Sequence, residues 1–551
     1  MRIILILAFV ITNLSLWAQG DSTKTQGEII TGEIVIEKDN KILLPQADKI
    51  YIRSTPKNFT SQPVEISFQV NEPSFQWPDY KSEVPFKSLK ESYPKENYQN
   101  YVKLGYGNYS SPLFEAGLFK TFGAFDTQAK LFYESFKSGP INGDNSGSAA
   151  GGVDLAATYK KELFSITPAI SFKNSQYSFY GNSDRFNSGF DTSDPDEISL
   201  NEFSFNVELA GGKDDVRYTL KPSVVSTNQN LTGQSGLNEE TDLGISGSLD
   251  YKIDDAFKTG FNVDANMASY SGGLKIDRSL ININPWLTHS RDNLSITAGF
   301  QISSGKVGDN SKTGFYPNAR VNYGLNNKWS VYGLLSGGQT WNNLGQLINE
   351  NQFLDDSLAI VQSEYTLQFG GGFKGTPIKN VLLDASLIYS SVEGLPFYIP
   401  SSSDSSRYTL AYDTESVGVV TLQAGLSFMP NTTSTYGVNI EINGYSMESL
   451  DRPWHKPAYV FKAFTSHNIQ EKLIVSAYLT SMGGIRGPAN VDFGYVKLPA
   501  FTDLGLGAKY LITARASAFI DVNNLLNSEY ERYLGYPTRG ITFKLGGQYR
   551  F

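Results

Sequence analysis

The chain ends in "GITFKLGGQYRF", residues 540–551, and how this stretch is read decides the fold. Ile541, Phe543, Leu545, Tyr549 and Phe551 occupy odd positions, with Gly547 completing the row, while Thr542, Lys544, Gln548 and Arg550 occupy even ones. Successive side chains of a strand point to opposite faces, so this is a strand with one apolar and one polar face. The apolar face continues to the last residue, and the rest of the sequence indicates what it meets.

From about Tyr98 onward the same alternation recurs in segments of 9 to 14 residues, and no helical period lasts more than a turn or two. "VDLAATYK" sets Val153, Leu155, Ala157 and Tyr159 against Asp154, Thr158 and Lys160. "FSFNVEL" sets Phe203, Phe205, Val207 and Leu209 against Ser204, Asn206 and Glu208. "YGVNIEIN" sets Tyr436, Val438, Ile440 and Ile442 against Asn439, Glu441 and Asn443. A soluble sandwich alternates too, with its apolar faces packed together. These strands, however, exceed the usual length of about 5 or 6 residues, are too many for a sandwich, and carry Tyr and Phe at their ends like the aromatic girdles of membrane barrels. Composition agrees: 32 Tyr, 34 Phe and 51 Gly stand beside a hydrophobic content of only 40%, too low for a soluble core of this size built from long apolar runs. In lipid every backbone donor and acceptor must be paired within the protein, and a closed barrel does this without a free edge. The expected fold class is all-β, a transmembrane antiparallel β-barrel over residues 98–551 with outer-membrane lipid against its apolar face.

The connectors sharpen the topology. Numbering from "YVKLGYG" (Tyr101 to Gly107), long polar gaps follow odd strands, around residues 137–146, 179–198, 229–238, 341–360, 393–406, 483–499 and 524–538. Tight turns follow even strands, such as "GAF" at Gly123, "KDD" at Lys213, "RDN" at Arg291 and "QEK" at Gln470. Short periplasmic turns and longer extracellular loops are the asymmetry of bacterial outer-membrane barrels. The count is about 22 strands, with "RYTLAYDTESVGVVTLQAGLSFMP" (residues 407–430) taken as one long strand with an irregular outer half. Two strands there would break the parity of everything after them.

At the other end, "MRIILILAFVITNLSLWAQG" has a positive charge at Arg2, an apolar stretch from Ile3 to Ile11, and small or polar residues near Ala18 and Gln19. That is the layout of a cleaved secretory signal over residues 1–19, since an anchor helix needs roughly 20 apolar residues. An exported chain that forms a barrel belongs in the outer membrane of a Gram-negative bacterium. With no Cys, the sequence excludes disulfides, thiolate catalysis and lipid attachment through cysteine. A net charge of -9 and a pI near 5.1 argue against a nucleic-acid partner.

The last residues, "DVNNLLNSEYERYLGYPTRGITFKLGGQYRF" (521–551), resemble the C-terminal end of TonB-dependent outer-membrane receptors. "VNNLLNSEY" (Val522 to Tyr530) follows the penultimate strand, "YP" (Tyr536 and Pro537) comes next, and the closing strand ends in "YRF". The family usually has Pro-Gly-Arg before that strand, where this chain has Thr538, Arg539 and Gly540. The resemblance implies a receptor-type barrel with TonB or other envelope proteins as partners. It also implies insertion by the outer-membrane assembly machinery, with Tyr549 and Phe551 as the assembly signal. The family places a globular plug ahead of the barrel, but residues 20–97 leave only 78 positions for one, so the chain reads as plugless. Within them "GEIVIEKD" (Gly32 to Asp39) has the extended look of a TonB-contacting segment or of a short strand or arm.

The stretch from Pro56 to Pro94 is rich in proline, with Phe75, Trp77, Tyr80 and Phe86 between the prolines. Proline cannot donate to a ladder, so this is a periplasmic linker or a lumenal segment whose aromatics help occlude the barrel or hold a partner. "NSDRFNSGFDTSDPDE" gathers Asp184, Asp191, Asp194, Asp196 and Glu197 in an external loop, a candidate calcium site that lacks EF-hand spacing. "WNNLGQLINENQFLDDSL" (Trp341 to Leu358) has an amphipathic centre suited to a short helix or lid. His289, His455 and His467 fall in separate regions without metal-ligand or triad spacing, so no catalytic residue and no cofactor is expected. Two functions fit: transport of a solute across the outer membrane, or a plugless scaffold subunit of a larger envelope assembly.

Overall fold

The computed structural model describes residues 100–551 apart from 141–142, 182–194, 233–235 and 489–493. Twenty-two antiparallel strands form one sheet that closes on itself, from Tyr101–Gly107 round to Thr542–Arg550. The terminal stretch makes the closure: Tyr101 lies opposite Arg550 and Gly107 opposite Lys544. Its two faces separate as the alternation predicts. Phe543, Leu545, Tyr549 and Phe551 are exposed on the outside, and Lys544 and Gln548 are buried inside.

The same division holds round the barrel. Leu104, Phe172, Phe205, Leu243, Ile283, Leu387 and Ile440 stand exposed on the outer wall. The inner wall carries ion pairs of both signs, among them Lys173 with Glu202 at 2.9 Å, Lys103 with Glu115 at 3.9 Å, and Lys544 with Glu134. A continuous exposed apolar belt of this extent is foreign to a water-soluble surface. The lumen is therefore the polar compartment and the outside the apolar one, the reverse of a soluble barrel.

One end of the barrel carries only turns of two to five residues, and the other carries the long loops, the longest being 341–362 and 394–416. Three connections on the loop side are also tight, at 108–110, 272–274 and 308–309, whereas 447–458 is a long loop that the sequence pattern leaves unmarked. Residues 407–430 are not one strand. Tyr408–Ala411 pairs with Phe397–Pro400 in a small loop hairpin, and the barrel strand starts afresh at Val417–Asn431. Parity survives because the first of these strands never joins the barrel. The stretch from Trp341 contains the helix Leu344–Glu350, with Asn343 as its cap and Gln346 reaching back in a capping box.

The wall is uneven in height. Strands away from the seam reach 17 residues, as in Glu197–Lys213 and Asn310–Asn326, while those at the seam have 7 (Tyr101–Gly107), 8 (Ala516–Asn523) and 9 (Thr542–Arg550). At the seam Gly105 and Gly546 leave room for the Phe519 ring, which would lie 2.9 and 2.8 Å from a Cβ added at either position.

Candidate functional site, a lid built from loops

A 22-strand barrel has a backbone diameter on the order of 40 Å, from strand spacing and tilt. Side chains from opposite walls cannot meet across that distance, so contact between distant loops requires the loops to reach inward over the mouth. They do. The end of the fifth strand, loop 341–362, loop 394–416 and loop 524–541 leave the barrel at roughly thirds of its circumference and meet in one buried apolar cluster. Tyr180, Phe353 and Tyr536 are its centre: the Phe353 and Tyr536 rings stack at 3.5 Å, and Tyr180 meets them edge-on at 5.7 and 5.4 Å. Leu344, Leu347 and Ile348 supply the inner face of the helix.

Backbone and side chain lock the loops together. Tyr408 donates its N–H to Phe353 O and accepts from Asp355 N, both at 2.8 Å, so loop 341–362 adds to the hairpin of loop 394–416. Among the described residues, six tyrosine hydroxyls donate to a main-chain carbonyl of a different segment. Tyr177 bonds Gln352 O, Tyr180 bonds Pro537 O, and Tyr270 bonds Asp356 O. Tyr408 bonds Leu534 O, Tyr533 bonds Glu350 O, and Tyr536 bonds Ser406 O, each at 2.6 Å. Ordering a loop costs about 1–2 kcal/mol per residue in backbone entropy. A buried tyrosine offsets that twice, by ring burial and by satisfying a carbonyl that would otherwise be desolvated alone. Burial pushes the hydroxyls of Tyr180, Tyr398, Tyr408 and Tyr536 well above the usual tyrosine range, so they stay protonated and keep donating.

Charge fixes the edges. Arg407 sits over the Phe179 ring at 4.9 Å, with its guanidinium on Asp196, on Asp404 at 3.2 Å and on Asp355 at 3.7 Å. Lys456 meets Glu350 at 2.6 Å. Burial acts to raise the Glu350 carboxyl, and Lys456, Arg532 and the Tyr398 hydroxyl outweigh it, leaving it below its ordinary value. The helix start is held to the wall by two carboxylates of one strand. Glu240 accepts from Leu344 N at 2.8 Å and pairs with Arg278, and Asp242 accepts from Trp341 Nε1 at 2.7 Å.

The candidate residues from the sequence fall apart in space. The Asp196 carboxylate is taken by Arg407, and Glu197 begins an exposed strand end, while Asp184, Asp191 and Asp194 lie outside the described residues. Residues 1–97, with the signal, the plugless reading, and Phe75, Trp77, Tyr80 and Phe86, also lie outside them. Tyr549 and Phe551 are exposed at the turn end of the closing strand, their rings 6.4 Å apart. His289 is on the outer wall beside Phe257, His467 is on the outer wall between the hydroxyls of Thr465 and Ser434, and His455 is buried in the lid. The lid tyrosines were missed. Their trace in the sequence is aromatic density in presumed polar loops, as in "FYIP", "RYTLAY" and "YERYLGYP".

No protein-family model matches the sequence, and no curated protein matches it. Solved structures do match the fold. The FrpB iron transporter from Neisseria meningitidis superposes with a TM-score of 0.66 at 11% identity, over 83% of each chain. The ferric yersiniabactin uptake receptor FyuA from Yersinia pestis gives 0.63 at 12% identity, over 84% of this chain and 81% of that one. The ferric-catecholate import receptor Fiu from E. coli K12 gives 0.61 at 11% identity, over 83% and 82%. The chain therefore has the fold of these outer-membrane receptors.

Proposed function

We propose that this chain is a receptor-like barrel of the outer membrane that passes a solute through its lumen, with the loop lid closing the outer mouth. The observation that carries this reading is the convergence of loops from around the rim into one packed lid above a polar, mixed-charge lumen. A lid is useful only where something must be admitted or kept out. The neighbours in fold are named for iron and ferric-siderophore import, which supports passage of a solute and does not select one. On this reading the two-to-five-residue turns face the periplasm, the loops face outward, and residues 20–97 supply a lumenal occluder or a contact with TonB.

Single-channel recording in planar bilayers tests it. The intact chain is expected to be silent. Deleting residues 20–97 together with Arg407→Ala, which removes the cation that ties Asp196, Asp355 and Asp404 at the lid's edge, is expected to give a stable conductance. A doubly altered barrel that inserts and stays silent overturns a transport pathway. The sealed lid also suits the second reading, a scaffold barrel in an envelope assembly; stoichiometric partners after extraction in mild detergent favour it, and a lone permeable barrel favours transport.

The terminal aromatic gives a further expectation. Phe551 is half exposed at the periplasmic edge, and among the described residues its ring meets that of Tyr549 at 6.4 Å. Phe551→Ala is expected to lower the amount of assembled barrel several-fold at unchanged synthesis, read as heat-modifiable protein in the outer-membrane fraction. Normal assembly would remove Tyr549 and Phe551 as an insertion signal.

A further inference from the structure

We propose that the turn at residues 524–527 is a membrane-inserted element that meets the acyl chains of the outer leaflet where the barrel wall is lowest. The proposal rests on the membrane-barrel reading above. Each strand residue rises roughly 2.5 Å along the barrel axis at the usual tilt. Ala516–Asn523 therefore gives a paired wall roughly 20 Å tall and Tyr101–Gly107 one of roughly 18 Å, against an apolar band of about 25 Å. Strands of 17 residues elsewhere exceed the band, so the shortfall is confined to the seam.

Above the short strands the outer surface remains apolar. Leu525 is 38% and Leu526 53% exposed, and they continue the row of Leu545, Phe543 and Ile541. Hydrogen bonds place the turn in that row: Leu525 N donates to Leu504 O at 2.8 Å on one side, and Ile541 N donates to Asn527 Oδ1 at 2.9 Å on the other. Two adjacent exposed leucines in a water-facing turn have no offsetting contact; facing acyl chains, they have one.

The backbone supplies a second, independent observation. Asn524 N donates to Asp503 Oδ1 at 3.0 Å, Asn527 N to Asn524 O at 2.8 Å, and Ser528 N to Asn524 Oδ1 at 3.1 Å. The Asn524 amide donates in turn to Ser528 O and Arg539 O at 3.0 and 2.9 Å. Asn524 and Asn527 hold left-handed φ values of 47° and 49°, which asparagine tolerates and which closes this network. Irregular backbone facing hydrocarbon must find its partners within the protein, and here the N–H groups of Asn524, Leu525, Asn527 and Ser528 do.

The chain has no native Cys, so single nitroxide labels report on depth directly. Leu525→Cys, Leu526→Cys, Leu545→Cys and Ser402→Cys, the last exposed on the lid, are labelled in the full chain reconstituted in phospholipid vesicles. The labels at 525 and 526 are expected to collide with oxygen more than with a water-soluble nickel chelate, as at 545, with the order reversed at 402. Labels at 525 and 526 that follow 402 while 545 stays lipid-like overturn the inserted turn and leave the barrel reading intact. A water-exposed label at 545 overturns both.

Discussion

Arg278→Ala is expected to release the lid from the barrel wall, at a cost of about 3–5 kcal/mol, the size seen when one partner of a buried ion pair is removed. The side chains of Arg278 and Glu240 are 0% and 2% exposed, and the pair is the deepest ionic contact among the described residues. Arg278 also donates to Asn342 O at 2.5 Å and lies 4.8 Å over the Trp341 ring, so it holds both the residue before the helix cap and the carboxylate that receives Leu344 N. Without it Glu240 remains buried beside Asp242 on the same strand, two carboxylates with no cation between them. The cheapest relief is for loop 341–362 to lift and admit water. Hydrogen exchange at the amides of Leu344 and Leu347 measures this, with protection expected to fall by more than a hundredfold while the strand amides stay protected.

The double variant Glu240→Gln with Arg278→Met separates charge from packing. Replacing both members of a buried pair by groups of similar volume is often close to neutral, because the desolvation cost of both ions disappears with their attraction. The double variant should recover most of the protection. Failure to recover it would mean that the fork of Arg278 on Asn342 O, and not the burial of an unpaired charge, holds the lid.

The barrel was legible in the sequence and the lid was not, for one physical reason. A strand between lipid and a wet lumen repeats its environment every second residue, so "GITFKLGGQYRF" states its fold locally. The lid has no local period. Tyr180 bonds a carbonyl 357 positions away, and Tyr408 one 126 positions away, so neither partner can be inferred from the residues flanking the other. The misjudged stretch at 407–430 shows the same limit. "RYTLAY" alternates as well as any barrel strand, and only its pairing with Phe397–Pro400 takes it into the loop. The amphipathic centre of 341–358 was readable because a helix carries its pattern with it, and Leu344, Leu347 and Ile348 indeed turn inward together. Its destination was not readable.

Acidification from pH 7 to pH 5 is expected to weaken the closed lid by about 2 kcal/mol through a single histidine. His455 is buried, and its ring fits the neutral form protonated at Nδ1: that nitrogen donates to Tyr398 O at 2.9 Å, and Nε2 accepts from Leu534 N at 3.3 Å. The rings of Tyr408 and Tyr533 flank it at 5.0 and 5.2 Å. Burial lowers its pKa to about 4, the bond to Tyr398 O opposes that, and the positive charges of Arg532 and Lys456 reinforce it. A free imidazole titrates near 6.5, so as pH falls from there to about 4 an opened loop takes up a proton that the closed lid refuses. Closure loses stability throughout that window and nothing further from this group below it. The Glu350 carboxyl is held below its ordinary value, so its contribution persists between pH 7 and pH 5 and is lost only at lower pH. Spin labels at Ser402→Cys and Glu529→Cys should give a narrow distance distribution at pH 7 that broadens at pH 5. His455→Asn, which can still donate and accept but takes up no proton here, should keep the distribution unchanged over that range. Equal broadening with and without the imidazole would place the acid response elsewhere in the lid.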